Sequence, residues 1–209
     1  MTVFTMLSLK EWAMTQRLKQ LFLSVIVLMG LTLAPVANAE GIKVKFFELE
    51  RVESEWFLNA AFQIELSPGL EDAIQKGVVL HFQTEFELTR SRWYWFDERP
   101  VLALRQTRLS YQPLTKQFRI ASGGLTFTAQ TIAEALQVVG SIGGWRVIDG
   151  PGVDPSKPYS AALRMSLDLS KLPKPFQVNA LNNKTWNVSS DWTRFTFTPD
   201  AQAVLKRQE

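Results

Sequence analysis

The sequence predicts a mainly β fold, an antiparallel β-sandwich-like single domain with two short helices. Three observations carry that expectation. Two long segments alternate apolar and polar residues with a period of two, the mark of strands that bury one face and wet the other. Further β-rich segments recur between clusters of Gly, Pro, Ser and Asp. Only two stretches carry helical spacing. Alternation also favours antiparallel pairing, because strands of parallel sheets are apolar on both faces. A curved sheet carrying helices, or an open barrel, is the alternative.

The elements follow in order. Residues 42–50 read as a strand. In the next segment Trp56, Leu58, Ala60, Phe62, Ile64 and Leu66 share one face, against Glu55, Asn59, Gln63 and Glu65, with Phe57 and Ala61 as exceptions. A short helix follows, with Pro68 early, acids in the first turn and Gly77 closing it. Val78, Leu80, Phe82, Thr84, Phe86 and Leu88 then share a strand face. Strands are expected over 101–111, 117–121 and 145–148, and again where Leu163, Met165, Leu167 and Leu169 alternate with polar residues. The second helix is placed over 129–139 by Ile132, Ala135, Leu136 and Val139, with Gly140, Gly143 and Gly144 as its cap and turn. The run 150–158 is a loop, and 185–198 reads as one bent strand or a hairpin.

The N-terminus carries an address. Arg17 and Lys19 precede an uncharged apolar run from Leu21 to Leu33; Pro35 breaks it, and Ala37-Asn38-Ala39 offers a small-x-small cleavage site. This is the three-part secretory pattern, which reads best from a start at Met14 and predicts removal of residues 1–39. The run falls short of the ~20 residues a membrane span needs. The expected product is a single domain over 40–209, exported, to the periplasm in a Gram-negative host, with no transmembrane span after cleavage.

Composition removes several function classes. Of 209 residues, none is Cys and one is His. Thiol catalysis, disulfide frameworks and Cys-ligated zinc are therefore excluded, and no cofactor or metal is expected. Taking Lys10, Arg17, Lys19 and Glu11 away from the 23 basic and 20 acidic residues leaves a net charge of +1. A nearly neutral domain lacks the footprint of a nucleic-acid binder.

The most unusual string is Arg90-Ser91-Arg92-Trp93-Tyr94-Trp95-Phe96-Asp97. With Ala73–Phe82 before it, Leu109–Phe118 after it, and later Leu172-Pro173-Lys174-Pro175 and Trp186–Trp192, it resembles an uncharacterised proteobacterial secreted family, domain of unknown function 4390. The resemblance runs over roughly 42–197. It implies a secreted single domain and transfers no activity and no site.

Candidate sites come from the residues alone. An exposed platform of Trp93, Tyr94 and Trp95 flanked by Arg90 and Arg92 would suit stacking on a partner's anchors or on sugar rings. The competing reading is a core layer with Arg stems lying over it. Arg105, with Arg108, would extend that face or pair with Glu85 and Glu87. His81 would have to serve any Ser–His–Asp triad, but it sits on a polar strand face and no Gly-x-Ser-x-Gly elbow is present. Asp97-Glu98 and the pair Asp149 and Asp154 are the loop acids available for a glycan hydrolase, which ranks a distant third. The expectation is a non-enzymatic interaction module of the cell envelope that binds another envelope protein. The alternative is a carrier of a small apolar ligand or lipid. Oligomeric state is not legible.

Overall fold

A computed structural model describes residues 41–90, 98–149, 153–154, 156–199 and 207–208. The chain from Ala39 onward forms one compact unit. It is mainly β, with two antiparallel sheets and three α-helices among the described residues.

The two alternating segments and their neighbours supply the long strands. β1 (Gly41–Val52) and β2 (Glu55–Glu65) form a hairpin, and Glu53 at φ 56° makes the turn between them. β3 (Leu80–Arg90), β4 (Glu98–Gln112), β5 (Gln117–Ser122) and β6 (Leu125–Ala129) continue as an antiparallel meander. β7 (Ser141–Ile148) returns to pair with β2, while β8 (Tyr159–Leu167) joins β3 and β9 (Thr193–Phe197) joins β8. β10 (Arg207–Gln208) pairs with β1 at Phe46 and Phe47. The first sheet thus runs β10-β1-β2-β7 and the second β6-β5-β4-β3-β8-β9.

The period-two faces meet in one core. Phe47, Leu49, Trp56, Leu58, Phe62 and Ile64 come from the first sheet, and Phe82, Phe86, Leu88, Leu109, Ile120, Leu163 and Met165 from the second. Burying such faces is the main drive for the fold, at ~25 cal/mol per Å² of apolar surface. The first helix, α1 (Pro68–Gln75), adds Leu70, Ala73 and Ile74 to that core. The second, α2 (Ile132–Gly140), packs on β2, β5 and β6 through Ala135, Leu136 and Val139. It starts later than its apolar spacing suggests because Thr131 is its N-cap. The Thr131 hydroxyl accepts from the Glu134 amide, and the Glu134 carboxylate accepts from the Thr131 amide.

Four expectations need correction. The glycines after α2 make no separate turn, for β7 begins at Ser141. Gly144 instead sits at a register break between β2 and β7, with φ +57°, and its N–H donates to Asn59 Oδ1 at 2.8 Å. An extra residue in one strand needs such a backbone, which glycine adopts without strain. The segment 185–198 is neither one bent strand nor a hairpin. Lys184–Trp186 is a 3-10 turn, Ser189 makes an isolated bridge to Ser166, and only Thr193–Phe197 is strand. There the Ser190 hydroxyl takes the Met165 N–H, so the ladder is interrupted by a side chain. A third helix, α3 (Lys174–Asn182), went unanticipated; among its described side chains Phe176 stacks on Trp186 and Ala180 is buried, while Val178 is exposed. β6 was missed too, although Gly123-Gly124, both at positive φ, is a strong two-residue hairpin signal.

Candidate functional site

Of the six residues singled out in the sequence, Arg92, Trp93, Tyr94 and Trp95 lie outside the described residues. Arg90 ends β3 opposite Glu98 and lines a shallow depression of 480 Å³ with Lys157, Tyr159 and Thr196. Arg105 pairs in register with Thr84, six residues back along β3, or about 20 Å at ~3.3 Å per residue. Arg105 also turns inward, on the face of Thr107 and Leu109, whereas Arg108 faces out. The expected basic face joining Arg105 to Arg108 therefore does not form. Strand alternation puts them on opposite sides of the sheet. Glu85 pairs instead with Arg164 on β8, at 3.9 Å.

A better-formed site lies away from the residues singled out in the sequence. On one flank of the sandwich β1 and the segment leading into β9 stand apart, leaving a groove of 310 Å³. Its walls are the β1 residues from Ile42 to Phe47 and the stretch from Ser190 to Arg194. Phe47 stacks on Phe195 at 4.4 Å between the two sheets. Three cations, Lys43, Lys45 and Arg194, line it against one acid, Asp191. Trp192 also lines the groove and is held by the Arg164 guanidinium, 5.4 Å from its ring centroid.

The backbone of this groove matters as much as its side chains. β1 pairs with β2 along one edge, but on its other edge β10 meets only Phe46 and Phe47. From Gly41 to Lys45 that second edge has no strand partner among the described residues. Pairing with β2 steps from Val44 to Phe46, so Lys45 is the extra residue of a bulge. Bulges re-aim side chains and recur beside functional sites. A lysine pattern at positions 43 and 45 was visible in the sequence, but its facing partner, some 150 residues on, was not.

A second feature surrounds Arg105. Its Nε–H donates to the Ser122 hydroxyl at 3.1 Å, and the Thr107 hydroxyl donates to the same oxygen at 3.0 Å. Ser122 and Thr107 are both buried. Burial alone lowers the Arg105 pKa from its usual value. Beside Ser122 on the same sheet face stand Leu125, opposite it in register, and Phe127, opposite Ile120. These two are 61% and 45% exposed, because the six-stranded sheet extends past its four-stranded partner at this edge.

The remaining titratable candidates are held locally. His81 stands opposite Arg108 on β4, and its carbonyl accepts the Asp168 N–H at 2.7 Å. Partial burial, then Arg108, push its pKa down; Asp168 opposes them and Lys171 adds to them. Asp149 pairs with Arg146 at 3.5 Å. Asp154 is held at about 2 by Lys157 and by the hydroxyl and amide of Ser156. The two acids weighed as a hydrolytic pair are thus each engaged by neighbours in sequence. Asp97 lies outside the described residues. No group of three His, Asp or Glu placed to hold a metal occurs among the described residues, and none of their helices is long and apolar enough to cross a membrane.

The chain matches the family described as Domain of unknown function (DUF4390) over residues 39–196. No curated protein and no solved structure matches it.

Proposed function

The chain belongs to the DUF4390 family, and from that premise we propose that it is an exported, non-enzymatic interaction module of the cell envelope, which takes an extended acidic segment of a partner protein into the groove beside β1. One observation carries the reading: a strand edge, Gly41 to Lys45, that has no strand partner among the described residues opens into a groove with three cations and one acid. An extended segment that joins a sheet edge gains main-chain hydrogen bonds without regard to its sequence. Its side chains then supply specificity. Here Lys43, Lys45 and Arg194 favour carboxylates, and the partly buried Trp192 offers an apolar surface. Export rests on the secretory pattern of the first 39 residues, and the envelope assignment follows from it.

The test uses the exported chain and two peptides of about seven residues, enough to span the free edge at ~3.3 Å per residue. One alternates Glu with Val and the other Lys with Val. The Glu peptide is expected to shift and protect the amides of residues 41–45, and to bind more weakly as salt rises. Reversal of Lys43 and Lys45 together to Glu should weaken it about tenfold, the equivalent of ~1.4 kcal/mol. Equal binding of both peptides, or of neither, would refute the reading. The lysines and the bulge would then only guard an edge against unwanted strand pairing.

A further inference from the structure

Arg105 sits in the wall of the overhanging sheet with an unusual set of neighbours. A half-buried guanidinium is normally met by a carboxylate, because desolvating an unpaired charge is costly. Among the described residues no carboxylate forms an ion pair with Arg105, and its protein hydrogen bond goes to a neutral hydroxyl, that of Ser122. Burial alone accounts for its lowered pKa, with no charged neighbour contributing.

The hydrogen-bond inventory of Ser122 points the same way. A hydroxyl has one proton to give and two lone pairs to receive. Both lone pairs are engaged, by Arg105 Nε–H and by the Thr107 hydroxyl. The Ser122 proton is therefore available to donate, beside the guanidinium that holds its oxygen through Nε. A guanidinium with further N–H groups to give and one O–H, carried on the same sheet face, make a seat for an oxyanion. The apolar surface next to it is equally placed. Leu125 lies directly across from Ser122 and Phe127 two residues further along β6, both on the same face and both exposed.

We propose that Arg105 and Ser122 bind the oxyanion head of an amphiphile whose apolar tail lies on Leu125 and Phe127, with the Thr107 hydroxyl, donating to Ser122, orienting the Ser122 proton outward. Charge complementarity selects the head, and the two exposed side chains select the tail. Fatty carboxylates and alkyl phosphates share this chemistry. The site is independent of the β1 groove, on another part of the molecule.

Laurate, dodecyl phosphate, dodecanol and acetate are titrated into the exported chain by NMR and calorimetry. The expected result is binding of laurate or dodecyl phosphate, whichever head fits, with shifts confined to residues around Thr107, Ser122, Leu125 and Phe127. Dodecanol, which lacks the charge, and acetate, which lacks the tail, should each bind at least about tenfold more weakly. Arg105→Gln should weaken the preferred ligand about tenfold or more, with Arg105→Lys restoring part of the loss. Should the Gln variant fail to fold, Leu125→Ser with Phe127→Ser alters exposed positions only and should weaken the amphiphile alone. Equal affinity for laurate and dodecanol, or unchanged binding in folded Arg105→Gln, would overturn the proposal. So would binding of acetate as tightly as laurate.

Discussion

Gly140 sets how closely α2 approaches the first sheet, and replacing it with Ala gives a test with a calculable sign. A Cβ at this position would lie 2.3 Å from the Phe62 carbonyl oxygen and 3.2 Å from its carbon. Those atoms belong to the backbone of β2 and cannot rotate away. To restore ordinary contact the helix must retreat by about 1 Å, which loosens Ala135, Leu136 and Val139 against the core. Overpacking of this kind costs ~1–3 kcal/mol. The better helix propensity of Ala returns at most ~1 kcal/mol, and less at the last residue of a helix. Net destabilisation should be about 1–3 kcal/mol, read as a lower urea midpoint with unchanged slope. In thermal melts a domain of this size loses ~2–4 °C per kcal/mol. Gly77→Ala is the control. Its φ of +90° strains any side chain, but no atom lies within 4 Å of the added carbon, so it should lose only ~1 kcal/mol. A neutral or stabilising Gly140→Ala, with Gly77→Ala destabilised as expected, would refute the claim that close approach fixes this residue.

Two further predictions concern α2 and β3. Thr131→Ala removes the cap hydroxyl that satisfies the Glu134 amide, and should cost ~1 kcal/mol in chemical unfolding, with faster hydrogen exchange in the first turn of α2. His81 has a folded pKa below its ordinary value, so the unfolded chain binds more protons as pH falls through that range. Its contribution to stability is complete above the unfolded value of ~6.5 and is lost as pH drops below it. Denaturant midpoints measured from pH 7.5 to 5 should therefore fall with a steeper slope in the parent than in His81→Gln, and parallel slopes would contradict this.

The legible part of the fold was the part written in period two. β2 and β3 were plain because each buries one complete face and has few exceptions. α2 was plain in its apolar spacing, although its start was set by the Thr131 cap rather than by Ala129. What escaped was decided by contacts distant in sequence. The glycines after α2 are needed for a helix seated against Phe62 and for a bulge tied to Asn59, and neither partner is visible locally. In 185–198 the aromatic residues suggest strand, yet Trp186 and Val188 leave the ladder to fill the core. The site followed the same rule. Arg105 drew notice for a basic face with Arg108, which strand alternation rules out, and its setting depends on Ser122, on the neighbouring strand. The groove was illegible because Lys43 and Arg194 meet only when two sheet edges are brought to one flank.

The pairing of β2 with β7 carries a consequence for the order of assembly. The other main pairings of the meander, β1 with β2 and β3 through β6, join neighbours in the chain and close short loops. β7 must instead find Trp56 with Ile148 and Ala61 with Ser141, across four strands and two helices of intervening chain. Closing a loop of that size carries an entropy cost that pairing returns only once most of the intervening structure has formed. β7 is therefore placed to dock late, and because α2 runs directly into it, helix and strand arrive together. Until they do, β2 has one edge open, and β8, which must reach back to β3 across a comparable length of chain, brings Leu163 and Met165 to the core by the same kind of late closure.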